Sequence, residues 1–201
     1  MMQLAHEQRF EEAASVRDRL TALVGAAKRF HLVEALLHAE RAEVPYGDPH
    51  DPATVVGPLV AERQRDRVEG YVRLAVEAGA RVVAGGTRPA HLARGWYVAP
   101  TILGDVDNTM RVAREEIFGP VLCLIPYEDE DDAVRIANDS QYGLSGGVWS
   151  ADDGRALGLA RRLRTGSVAV NGSYPPFPLV PFGGFKQSGL GRELGDEDLA
   201  A

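Results

Sequence analysis

From Val68 onward, stretches with apolar residues at helical spacing alternate with short apolar runs closed by glycine or proline, and this alternation limits the chain to few architectures. Val68, Tyr71, Val72 and Ala75 recur at three- and four-residue steps and place one apolar face on a helix. Gly79 stands where that helix would be capped, and Ala80-Arg81-Val82-Val83-Ala84 reads as a strand closed by Gly85-Gly86. Val121-Leu122-Cys123-Leu124-Ile125, bounded by Pro120 and Pro126, predicts a buried strand, and Asp129 to Ala137 a helix. Gly146-Gly147-Val148-Trp149 gives the next strand, Arg155 to Leu163 a helix, and Gly166-Ser167-Val168-Ala169-Val170 a further strand before the proline-laden loop from Gly172 to Pro181. The expected class is α/β with a largely parallel sheet.

Helices are expected ahead of this portion. Phe10, Ala13, Ala14, Leu20, Leu23, Val24 and Ala27 follow the helical period, and Phe30, Val33, Leu36 and Leu37 repeat it before Pro45 and the turn-rich Tyr46-Gly47-Asp48-Pro49. No internal repeat or low-complexity tract is present.

The 201 residues suffice for one domain of ordinary size, and a hydrophobic fraction of 45% is normal for a real core. A net charge of -7 leaves no basic footprint for nucleic acid or an anionic membrane, so neither is an expected partner. The single cysteine, Cys123, excludes an internal disulfide and suits a reducing cytoplasm. No apolar run reaches membrane-spanning length, and the charged, alanine-rich start lacks the apolar centre of a signal peptide. His6, His31, His38, His50 and His91 have no metal-ligand spacing, so no metal is expected.

Three segments call for more than packing. Glu115-Glu116-Ile117-Phe118-Gly119-Pro120 sets two carboxylates and an aromatic ring before a turn. In Pro181-Phe182-Gly183-Gly184-Phe185-Lys186-Gln187-Ser188-Gly189, the paired glycines permit backbone angles closed to other residues. The third is Gly191-Arg192-Glu193-Leu194-Gly195. With Gly47-Asp48-Pro49, Gly57-Pro58-Leu59 and Pro100-Thr101 before them, and Tyr142-Gly143-Leu144 and Val170-Asn171 between, the ordered set resembles the aldehyde dehydrogenase superfamily over about residues 29–201.

The resemblance implies a catalytic-domain fragment of an aldehyde dehydrogenase, whose full-length relatives oxidise small aldehydes to carboxylic acids with NAD or NADP. Glu116 matches the glutamate that binds the nicotinamide ribose, since one carboxylate can accept hydrogen bonds from both vicinal hydroxyls. Its alternative is an acid at a helix N-terminus. Phe118 matches the aromatic beside the nicotinamide, Phe182 an aromatic of the substrate tunnel, and Glu193 a proton-relaying glutamate whose alternative is a surface acid paired with Arg192. Tyr174 and Phe177 fall where the family lines its substrate mouth. The family forms oligomers, so association with dehydrogenase subunits is expected.

Family chemistry begins with a cysteine thiolate, and a glutamate-activated water completes it. Counting back from Gly57-Pro58-Leu59, the cysteine should fall near residues 8–16, where the chain reads Gln8-Arg9-Phe10-Glu11-Glu12-Ala13-Ala14-Ser15-Val16. Cys123 lies in an apolar strand and is expected to be a small core residue. The dinucleotide-binding domain has no counterpart either, so the chain is expected to be a truncated form, binding cofactor weakly or not at all and inactive alone. Residues 8–28 resemble a UVR motif, a helical interaction module, which marks 1–28 as a segment distinct from 29–201. The rival functions are an assembly protein that docks on intact dehydrogenase subunits and a UVR-type interaction module.

Overall fold

The computed structural model describes residues 44–171 and 180–195. They fall into two compact units, divided after Pro126.

The first unit is organised by helix α1, Glu62–Glu77. Val68, Tyr71, Val72 and Ala75 are its buried apolar face, the four residues that the helical spacing selects. Glu62 sits in the first turn, where the helix dipole favours an acid. Ala78 is the C-cap, and Gly79 follows at φ 102°, a left-handed conformation cheap only for glycine. Strand β1, Arg81–Ala84, then pairs antiparallel with β2, Thr101–Gly104, which pairs parallel with β3, Val121–Cys123. A single-turn helix, α2, Arg111–Arg114, lies between β2 and β3.

β2 is the middle strand, and its Leu103 is fully buried. Around Leu103 the core gathers Tyr71, Val72, Ala75, Ala80, Val106 and Val112. Full burial of a residue such as Leu103 or Val68 contributes about 1.5–3 kcal/mol.

β3 departs from the expected buried strand. It is the edge of the described three-stranded sheet, so only alternate side chains, Val121 and Cys123, pack on the core, while Leu122 is 56% exposed. Cys123 is half-buried rather than fully enclosed.

The second unit opens with helix α3, Glu130–Asn138, capped by the Asp129 carboxylate, which accepts from the Asp132 amide at 2.8 Å. Strand β4, Tyr142–Gly143, pairs antiparallel with β7, Phe185–Lys186. Strand β5, Ser145–Val148, pairs parallel with β6, Ser167–Val170, across helix α4, Asp153–Ala160. Asp152 caps α4 by accepting from the Arg155 amide at 2.9 Å, and the helix buries Ala156 and Ala160. This is the β-α-β grammar read from the sequence.

The fold is α/β. Alternation of elements accounts for the parallel pairs β2–β3 and β5–β6; the antiparallel pairs β1–β2 and β4–β7 are additions to it. The helices expected before Pro45, the boundary at 28/29 and the UVR-like stretch lie outside the described residues. Among the described residues, no helix is long and apolar enough to cross a membrane.

Candidate active site

In the first unit, Glu116 and Phe118 share one loop, which follows α2 and leads into β3. Glu116 is therefore not at a helix N-terminus; it lies beyond the C-cap of α2, which is Glu115. Two side chains of α1 fasten the loop through its backbone carbonyls, and a third reaches a side chain at its base. Arg67 Nη2 donates to the Glu116 carbonyl at 2.7 Å, and Gln64 Nε2 donates to the carbonyls of Ile117 and Phe118 at 3.0 and 2.8 Å. Tyr71 reaches the base of the loop, its hydroxyl donating to Glu115 Oε2 at 2.6 Å.

Glu115 also accepts two bonds from Arg111, at 2.9 and 2.8 Å. The Arg111 bonds, then the Tyr71 bond, hold its carboxyl far below the usual range, at about 2. The bond to Glu115 pushes the Tyr71 phenol up, with burial adding to it.

The two adjacent glutamates thus face different fates. The Glu115 carboxylate is engaged three times by protein, whereas that of Glu116 is exposed and has no partner among the described residues. Phe118 stands at φ 56°, a conformation unfavourable for a bulky L-residue, and its side chain is 65% exposed. The Gln64 bond to its carbonyl helps to hold it there. An exposed carboxylate and an exposed ring two residues apart on a fastened loop can receive a diol and a flat heterocycle.

In the second unit, Phe182 and Glu193 meet in an isolated antiparallel bridge. Each amide donates to the other's carbonyl, at 2.6 and 2.7 Å. The segment is anchored at several points. Lys186 Nζ donates to the carbonyls of Asn138 and Ser140 at 2.8 and 2.9 Å, and Ser188 Oγ accepts from the Gly143 amide at 3.0 Å.

Gly183 and Gly184 serve close approach rather than unusual backbone angles. Neither has positive φ, but a Cβ on Gly183 would lie 2.2 Å from the Gly191 carbonyl oxygen, and one on Gly184 2.6 Å from Ser188 Cβ. Positive φ falls instead on Lys186, Gly189, Leu194 and Gly195.

The Arg192–Glu193 pairing is not formed. Arg192 Nη1 donates to the carbonyls of Gly184 and Gly191, both at 2.9 Å, and its guanidinium lies over the Phe185 ring. Glu193 is exposed and Phe182 half-buried. Tyr174 and Phe177 lie outside the described residues.

Cys123 Sγ is 3.7 Å from the Val112 carbonyl oxygen, and burial pushes its thiol pKa up, which disfavours the thiolate. No group of three His, Cys, Asp or Glu that could hold a metal ion occurs among the described residues. A cavity of about 440 Å³ in the first unit, lined by Tyr46, Ala84, Gly85 and Pro100 among others, includes none of the predicted site residues.

Residues 21–201 match the model of the aldehyde dehydrogenase family. The chain belongs to the aldehyde dehydrogenase family. The match starts before residue 29 and takes in part of the UVR-like stretch. Geranial dehydrogenase from Castellaniella defragrans is 51% identical over 182 residues, 90% of this chain and 37% of that protein.

A Mycobacterium tuberculosis aldehyde dehydrogenase solved with NAD+ superposes with a TM-score of 0.81 at 43% identity, covering 93% of this chain and 41% of the other. Betaine aldehyde dehydrogenase from Staphylococcus aureus, also solved with NAD+, gives 0.77 at 38% identity, covering 86% and 34%. The chain thus spans between about a third and two fifths of the length of these family members.

Gln64, Arg67 and Glu115 were absent from the sequence-derived site. Gln64 donates to carbonyls 53 and 54 positions away and Arg67 to one 49 positions away, and such bonds leave no local pattern.

Proposed function

We propose that this chain forms part of an aldehyde dehydrogenase that oxidises aldehydes to carboxylic acids with NAD or NADP, and that its two stations serve cofactor and substrate. The observation that carries the reading is the Glu116 carboxylate, exposed and unpartnered on a loop tied down by Gln64 and Arg67. That donor-free, acceptor-rich group fits a ribose: its two oxygens can accept from both vicinal hydroxyls. Phe118 would lie against the nicotinamide, which, when bound, supplies the hydride acceptor. In the second unit, Phe182 would border the aldehyde and Glu193 would pass a proton toward solvent, with Tyr174 and Phe177 lining the mouth.

The same reading holds that these residues do not turn over aldehyde by themselves. The only cysteine is Cys123, whose sulfur packs against the core of the first unit with a raised pKa. A thiol in that state is a poor nucleophile. Weak cofactor binding and association with dehydrogenase subunits in the cytoplasm complete the proposal; the exposed Leu122 on edge strand β3 favours such association.

The test mixes the purified chain with NAD+ or NADP+ and a panel of aldehydes and follows reduced-nicotinamide absorbance. A rate no higher than the enzyme-free blank is expected; clear turnover overturns the inactivity. In parallel, NAD+ titration monitored by nuclear magnetic resonance should move the Glu116 and Phe118 resonances first. Shifts confined to other residues would remove Glu116 from the cofactor site.

A further inference from the structure

The Val170-Asn171 motif has no use in either the cofactor or the substrate station. Asn171 follows β6 at φ 53°, a left-handed conformation that asparagine tolerates better than most L-residues. Its amide donates to the Val148 carbonyl, at the end of β5, at 2.9 Å. Its side chain is tied at both ends: Oδ1 accepts from the Ser150 amide at 2.7 Å, and Nδ2 donates to Asp153 Oδ1 at 2.7 Å. Ser150 is buried, and Asp153 stands in the first turn of α4.

The next residue in the sequence is Gly172, and an Asn-Gly pair is chemically labile. Glycine has no Cβ to shield its amide nitrogen. On losing its proton, that nitrogen attacks Cγ of the asparagine; the Cγ–Nδ2 bond breaks and ammonia leaves with the proton. Water then opens the cyclic imide to aspartate or isoaspartate.

Asn171 is exposed, so water reaches it. Ring closure requires Cγ to turn onto the following nitrogen, and that turn breaks both side-chain bonds. The bond to Asp153 is the stronger restraint, because its acceptor is charged.

We propose that Asn171 is a deamidation site held in check by Asp153, whose carboxylate fixes the carboxamide. Once conversion has occurred, the fold cannot restore the join. An acid at 171 has no hydrogen to give, and it would set a second carboxylate where a 2.7 Å bond to Asp153 now stands.

The test incubates the chain at mildly alkaline pH and follows conversion of amide to acid at 171 by peptide mass spectrometry. The folded, unaltered chain should convert at least about tenfold more slowly than the same chain in urea. Folded Asp153→Ala should convert about tenfold faster than the unaltered chain, the effect of losing one such bond. Asp153→Asn keeps an acceptor oxygen and should stay near the unaltered rate, a rescue that general damage to α4 would not give. Adding Gly172→Ala to Asp153→Ala should suppress conversion, as the cyclic route requires.

The comparison with urea needs no variant and decides the matter even where Asp153→Ala fails to fold. Equal rates with and without urea overturn the proposal. So do equal rates in the unaltered chain and folded Asp153→Ala, conversion of Asp153→Asn as fast as that of Asp153→Ala, or conversion that Gly172→Ala leaves undiminished.

Discussion

Gly119 closes the loop that carries Glu116 and Phe118, and it does so against Val68, which is fully buried on α1. A Cβ built on Gly119 would lie 2.3 Å from Val68 Cγ2 and 3.0 Å from Cγ1. Carbon atoms in contact prefer about 3.5–4.0 Å, so Gly119→Ala forces an overlap of more than about 1 Å on a stiff β-branched neighbour. Overpacking of this kind costs about 1–3 kcal/mol.

Val68→Ala removes two buried carbons at about 0.8 kcal/mol each and leaves a cavity, for a total of about 2 kcal/mol. In the double variant the new methyl occupies the space that the old ones left. Its cost should be about 2 kcal/mol, against about 4 for the sum of the single changes, a coupling of about 2 kcal/mol. Urea unfolding followed by circular dichroism measures all three, and for a chain of 201 residues each single change should lower the melting temperature by about 4–8 °C. Additivity within about 0.5 kcal/mol would refute the packing of Gly119 on Val68.

Three further outcomes are expected. Because the Glu115 carboxyl is held down to about 2, its contribution is complete above the ordinary carboxylate range near 4.5 and is lost as pH falls toward about 2. The difference in urea midpoint between the unaltered chain and Glu115→Gln should therefore be constant at neutral pH, shrink below about pH 4.5 and vanish near pH 2; a difference independent of pH would contradict the Arg111 and Tyr71 bonds.

Cys123 should react with iodoacetamide at neutral pH at least about tenfold more slowly than free cysteine, and at the ordinary rate in urea. Rapid reaction in the folded chain, blocked by an aldehyde, would restore it as a candidate nucleophile. Lys186→Met should speed amide exchange at Phe182 and Glu193 by about tenfold, and Lys186→Arg should restore it. Equal exchange in all three proteins would show that the Lys186 bonds do not hold the segment.

Much of the local structure was legible because single stretches encode it. The buried face of α1 can be read from Val68, Tyr71, Val72 and Ala75, and the end of the helix from Gly79. Strand β2 was not anticipated: Thr101, Leu103 and Gly104 are all buried, so the alternation that reveals a half-buried strand is missing. β3 was anticipated as a strand but not as an edge, because pairing order depends on distant segments; its exposed Leu122 follows from that order.

The same division runs through the site. Motif spacing singled out Glu116, Phe118, Phe182 and Glu193. The bonds of Gln64 and Arg67 to loop carbonyls, and the mutual backbone bonds of Phe182 and Glu193, belong to tertiary structure.

Because residues 182 and 193 exchange both of their main-chain hydrogen bonds, neither can shift without dragging the other. If Phe182 borders the aldehyde as proposed, a change there that moves its main chain would also re-aim the acid at 193. On the same proposal, with Glu193 as the proton relay, substrate range and proton transfer at this corner would have to be selected together.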